Sequence, residues 1–143
     1  VSPLQNLVTD LLVTLAYGVV GVVLMGIGYG LVDVATPGKL HELIWTERNR
    51  NAALLLSSNL LGVGTIVVAA IVASEDDFVL GLVGAAAYGI VGLVIMAAAF
   101  LLLDAVTPGR LGELLVDPEP HPAVWVSAVV HLATGAIIAA AIS

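Results

Sequence analysis

The sequence predicts an all-α membrane protein in which four transmembrane helices form a tandem duplication of a two-helix hairpin, with parallel repeats. Three observations lead there. Of 143 residues, 60% are hydrophobic and only 10% charged, with a mean hydropathy of +1.13. A soluble domain is nearer roughly half apolar and a quarter charged, so too few polar residues are present to coat a soluble core. The apolar residues gather into four runs, each long enough to cross a hydrocarbon layer of about 30 Å as a helix. Finally, one phrase occurs twice, DVATPGKLHEL from Asp33 and DAVTPGRLGEL from Asp104, each time between two apolar runs.

The elements follow in order. Ser2-Pro3 suits a helix start, with Ser as N-cap and Pro in the first turn. The first span covers about 8–32, almost wholly apolar apart from Thr9, Asp10 and Thr14. Thr36-Pro37-Gly38 ends it, and a polar segment continues to Asn51. The second span is 52–73. An acidic turn at 74–77 connects the repeats, which occupy 1–73 and 78–143. The third span covers about 78–103, and a second Thr-Pro-Gly with the Pro-rich DPEPHP leads to the fourth, 123–142. These runs are rich in Val, Ile and Gly, which are poor helix formers in water. In lipid the backbone must satisfy its own hydrogen bonds, so helix prevails. The amino terminus lacks the basic stretch of a cleavable signal peptide, and the first run is too long for its apolar core.

The duplication is traceable without gaps at an offset of 71 residues, the step from Tyr17 to Tyr88. It pairs Gly21 with Gly92, Met25 with Met96, Tyr29 with Phe100, Asp33 with Asp104, Pro37 with Pro108 and Gly64 with Gly135. Tyr17, Gly21, Met25 and Tyr29, with Tyr88, Gly92, Met96 and Phe100, form ridges of interval four and are expected at the helix-packing seam. Gly26 with Gly30, and Ala85 with Gly89, add small-residue patches. Lys39, Arg48, Arg50 and Arg110 are all the Lys and Arg of the chain, and all lie in the two Thr-Pro-Gly connections. The positive-inside rule therefore puts both connections in the cytoplasm and both termini outside, with the repeats related by an axis along the membrane normal.

Composition also limits function. A net charge of −7 leaves nothing to neutralise a run of phosphates, so nucleic acid is excluded as a partner. Without Cys there is no thiolate nucleophile and no Cys-ligated metal. No phosphate-binding Gly loop, Ser-His-Asp set or His-Glu-x-x-His motif occurs, so no enzyme is expected, and no cofactor or metal. His131 is the ionisable side chain well inside a span, a position that by default marks a functional site. It either hydrogen-bonds Asn59, gluing the second span to the fourth, or relays protons. Asp33 and Asp104 end the first and third spans, where an acid opposes the helix dipole. They are held by hydrogen bonds to the turn, by Lys39 and Arg110, or by a shared cation at a pore mouth. Arg48 and Arg50, with Lys39 and Arg110, suit anionic head groups or an acidic partner as well as a plain topology signal. Trp45 and Trp125 suit interfacial anchors.

The four-span layout, the repeat, the Thr-Pro connections and Asn51-Ala52-Ala53 opening the second span resemble the domain of unknown function 350 family, the YjfL-type small bacterial inner-membrane proteins. Pro122-Ala123-Val124 stands where a second Asn-Ala-Ala would be. The resemblance implies an inner-membrane protein with a role near envelope stress or beside soluble cytoplasmic partners. Two functions are expected to compete. One is a non-enzymatic assembly or accessory subunit, as a homo-oligomer or within a larger membrane complex. The other is an oligomeric ion or proton channel or transporter.

Overall fold

The computed structural model describes residues 2–73 and 77–143. Four long helices cross one another: α1 (Pro3–Ala35), α2 (Arg50–Ala73), α3 (Phe78–Val106) and α5 (Pro122–Ile142). Each is long and apolar enough to span a membrane, and no strand occurs among the described residues. Of the acidic turn at 74–77, only Asp77 lies within the described residues. Its carboxylate accepts from Leu80 N at 3.1 Å and caps α3.

The start of α1 is a reciprocal cap, in which Ser2 Oγ accepts from Gln5 N and Gln5 Oε1 accepts from Ser2 N, both at 3.2 Å. The helix runs 33 residues, about 50 Å at ~1.5 Å per residue. It therefore exceeds the expected 8–32 at both ends. α3 likewise extends to Val106, past the expected end at 103.

Helix α2 is the centre of the bundle. It packs most closely on α5 and also on α3 and α1. At the α2–α5 crossing, a Cβ on Gly135 would lie 2.7 Å from Gly62 Cα and 2.8 Å from Gly62 O, so the two backbones touch. Elsewhere, large aliphatic side chains fill the space above glycines. Ile66 lies over Gly92, Leu24 over Gly89 and Val67 over Gly21.

The interval-four ridges follow the packed face only in part. On α1 the buried set is Tyr17, Gly21, Leu24, Gly28 and Val32, with Met25 and Tyr29 half-buried. On α3 it includes Ala85, Gly89, Gly92, Met96 and Phe100, while Tyr88 is 48% exposed. The cause is the helix period. A step of four residues overshoots 3.6 by about 40°, so a straight ridge drifts off the contact face within a few turns. A Cβ on Gly26 or Gly30 would meet open space.

The two Thr-Pro-Gly connections are more ordered than a polar hinge. Each contains a short helix, a π-helical turn at Glu42–Thr46 and α4 at Leu111–Leu115. Leu40 and Leu111 are fully buried, and both short helices tuck beneath the bundle against Ala52, Leu55 and Val124. Gly38 and Gly109 turn the chain at φ of 84° and 78°. Arg48 ends the π-helical turn at φ 55°, also left-handed. Replacing Gly38 or Gly109 by Ala should cost about 1 kcal/mol each, whereas Arg48→Gly should gain a similar amount. The shift of the denaturation midpoint in detergent measures both signs.

Candidate functional site

Two groups of polar side chains stand out, one at the hinges and one inside the bundle. The hinge group begins with Asp33 and Asp104. Asp33 Oδ1 accepts from Leu40 N at 2.8 Å and Asp104 Oδ1 from Leu111 N at 2.6 Å. Each carboxylate thus holds the N–H of the Leu that follows the turn and its base, which offsets its position at a helix C-terminus. Thr36 and Thr107 match in the same way. Their hydroxyls donate to the Val32 and Leu103 carbonyls, both at 2.7 Å. Among the described residues neither Asp pairs with Lys39 or Arg110, and those two bases, with Arg48 and Arg50, are exposed.

Asn49 and Asn51 then lock the second connection onto the first. Asn49 Oδ1 caps α2 at Ala52 N (3.0 Å), and its Nδ2 donates to Asp117 O at 3.1 Å. Asn51 Nδ2 donates to the carbonyls of Leu114, Asp117 and Glu119 at 3.2, 3.1 and 2.8 Å. Its Oδ1 accepts from His121 N at 3.2 Å. Sequence reasoning did not reach this role for Asn51. Its partners are backbone groups far along the chain, and no side-chain pattern encodes them. Pro122 lies in the first turn of α5, where a missing N–H costs nothing.

Inside the bundle, Asn59 of α2 and His131 of α5 are each 3% exposed. They line a common cavity of about 380 Å³ that continues between α1 and α3. The expected Asn59–His131 hydrogen bond is not formed. His131 Nδ1 instead bonds the Ser127 carbonyl of its own helix at 2.8 Å. A carbonyl only accepts, so Nδ1 carries the hydrogen and Nε2 is left as an acceptor. Among the described residues Asn59 Oδ1 is buried without a partner, as is Ser127 Oγ. The oxygen of Asn59 sits against α1 at Gly28, where a Cβ would come within 2.8 Å of it. Phe100 leans on the His131 ring, with centroids 6.2 Å apart. The rim is apolar and open, with Val34 87% and Leu101 65% exposed. Among the described residues no charged one lines the cavity. Among the described residues no three His, Cys, Asp or Glu side chains cluster as a metal site.

Four long apolar helices with buried polar groups between them define a multi-pass membrane protein. The comparisons agree. The pattern of the family described as Domain of Unknown Function (DUF350) matches residues 6–142, and the chain belongs to that family. A UPF0719 transmembrane protein of Mycolicibacterium paratuberculosis is 33% identical over 130 residues, covering 91% of this chain and 86% of its own. UPF0719 transmembrane proteins of Mycobacterium bovis and Mycobacterium tuberculosis are 36% identical over the same shares. No solved structure matches the chain.

Proposed function

We propose that this protein is a non-enzymatic membrane assembly subunit, built by duplication of a helical hairpin, that joins copies of itself or a larger membrane protein through α1. The observation that carries the reading is the amino-terminal part of α1. Every residue from Ser2 to Leu12 is exposed, including Leu4, Leu7, Val8, Leu11 and Leu12. A helix about 50 Å long outruns a hydrocarbon layer of about 30 Å, so part of this segment extends into the interface or beyond it unless strongly tilted. A second helix laid along it would cover apolar area the chain itself leaves open. The duplication is supported by like bonds in the two connections: Asp33 to Leu40 N and Asp104 to Leu111 N, Thr36 to Val32 O and Thr107 to Leu103 O. The exposed bases of both connections support a cytoplasmic placement there, available to anionic lipid or acidic partners. The channel alternative draws less support. Asn59 and His131 are buried inside a single chain rather than set on an outer face, and both hinge acids are engaged with backbone.

The chain has no Cys, so single cysteines can be introduced without background. Leu11→Cys should crosslink on mild oxidation in native membranes, or with a bifunctional maleimide, to a second copy or to one larger protein. Leu61→Cys, exposed on α2, should not. A chain that stays monomeric with Leu11→Cys, and runs as a monomer in mild detergent, would overturn the proposal.

A further inference from the structure

We infer that the cavity between α1 and α3 is a binding site for a neutral, hydroxyl-ended amphiphile that enters from the bilayer. The site is independent of the assembly reading. Its walls are apolar, and its opening lies between exposed aliphatic side chains, Val34 of α1 and Leu101 of α3. Leu101 lies within the third span and Val34 just past the expected end of the first, so the mouth opens near the edge of the hydrocarbon layer, where aliphatic side chains meet lipid. At about 380 Å³ it falls within the usual size of small-molecule sites, roughly 300–1,000 Å³.

The polar end of the cavity selects the ligand. Two polar side chains, each 3% exposed, line it with hydrogen-bonding capacity unspent. His131 gives its Nδ1 hydrogen to Ser127 O, so its Nε2 can only accept. Asn59 Oδ1 lies against Gly28, buried without a hydrogen-bond partner among the described residues, and its Nδ2 makes no hydrogen bond among them either. Two acceptors, His131 Nε2 and Asn59 Oδ1, and one donor, Asn59 Nδ2, all neutral, fit a single group able to donate and accept at once. A hydroxyl does this, donating to His131 Nε2 and accepting from Asn59 Nδ2. No Lys or Arg lines the cavity, so an ionised carboxylate or phosphate would be buried without a countercharge, which is strongly unfavourable. A pure hydrocarbon would leave both side chains unpaired.

The test uses the full-length protein in phosphatidylcholine vesicles with a diazirine-bearing long-chain alcohol as photolabel. Labelling should fall on the peptides containing Val34 and Leu101, and unlabelled hexadecanol should compete it away. The methyl ether of hexadecanol can accept but not donate, and should compete about tenfold less well. Asn59→Leu and His131→Phe should each weaken labelling by about tenfold. Ala97→Trp fills the cavity from α3, leaves both polar groups in place, and should abolish labelling. If the two polar substitutions prevent folding, the ether comparison on the unaltered protein and Ala97→Trp still decide. Equal competition by alcohol and ether, or labelling that Ala97→Trp leaves unchanged, would overturn the inference.

Discussion

Gly135→Ala is expected to destabilise the protein by about 3 kcal/mol, at the upper end of what overpacking a core position usually costs. The reason is that the new methyl would meet backbone. It would lie 2.7 Å from Gly62 Cα and 2.8 Å from Gly62 O, and neither atom can turn aside as a side chain would. The two helices would have to separate at their crossing, and they form the closest pair in the bundle. Gly62→Ala should be milder. Its Cβ would press on the flexible end of Met96 at 2.8 Å and on the His131 carbonyl at 3.0 Å. Gly64→Ala is the control, because nothing lies within 4 Å of that position, and its effect should stay within about 0.5 kcal/mol. Unfolding midpoints in mixed detergent compare all three. Equal losses at Gly64 and Gly135 would mean that the helices cross elsewhere.

This ranking also shows where sequence reading stops. The ungapped repeat pairs Gly135 with Gly64, yet the glycine in contact is Gly62. A repeat register aligns equivalent positions, whereas two crossing helices meet where their surfaces allow, and nothing requires the two to coincide. The four spans were legible because lipid demands long apolar helices, and Pro37 and Pro108 mark where α1 and α3 must stop. The short helices at Glu42–Thr46 and Leu111–Leu115 were not, because five residues give too little periodicity to separate a helix from a polar turn. Leu40 and Leu111, at matching places in the repeated phrase and both fully buried, carried the available hint. Asn59 and His131 were legible as unusual residues inside spans, but not their partners. His131 satisfies one nitrogen four residues back along its own helix, a local option that a search for a partner across the bundle passes over. The cavity is less legible still, since it is lined jointly by α1, α3 and two polar residues on other helices.

Asn51→Ala is expected to have a comparable effect, about 3 kcal/mol, through lost hydrogen bonds rather than lost space. The side chain is 4% exposed and joins four backbone groups, the carbonyls of Leu114, Asp117 and Glu119 and the N–H of His121. Leaving one buried polar group unpaired costs about 1–3 kcal/mol. Water at the exposed side of this segment will recover part of the loss, which keeps the total below the simple sum. Asn51→Asp separates the chemistry from the shape. It retains an acceptor for His121 N but turns the donor into a second acceptor facing three carbonyls, so it should destabilise at least as much as alanine at pH 7. Asn49→Ala removes one cap and one carbonyl contact and should cost about 1–2 kcal/mol. Limited proteolysis gives a local readout, because the clamp holds Asp117–Pro122 against the start of α2. Cleavage within 117–122 should become faster in the Asn51 variants while the spans remain helical. Unchanged cleavage there, with stability lost everywhere at once, would mean that Asn51 acts on the packing of α2 rather than as a tie between the two connections. Asn49 caps α2 while Asn51, two residues on, fastens the approach to α5, and Pro122, 71 residues after Asn51, has no donor to offer in return.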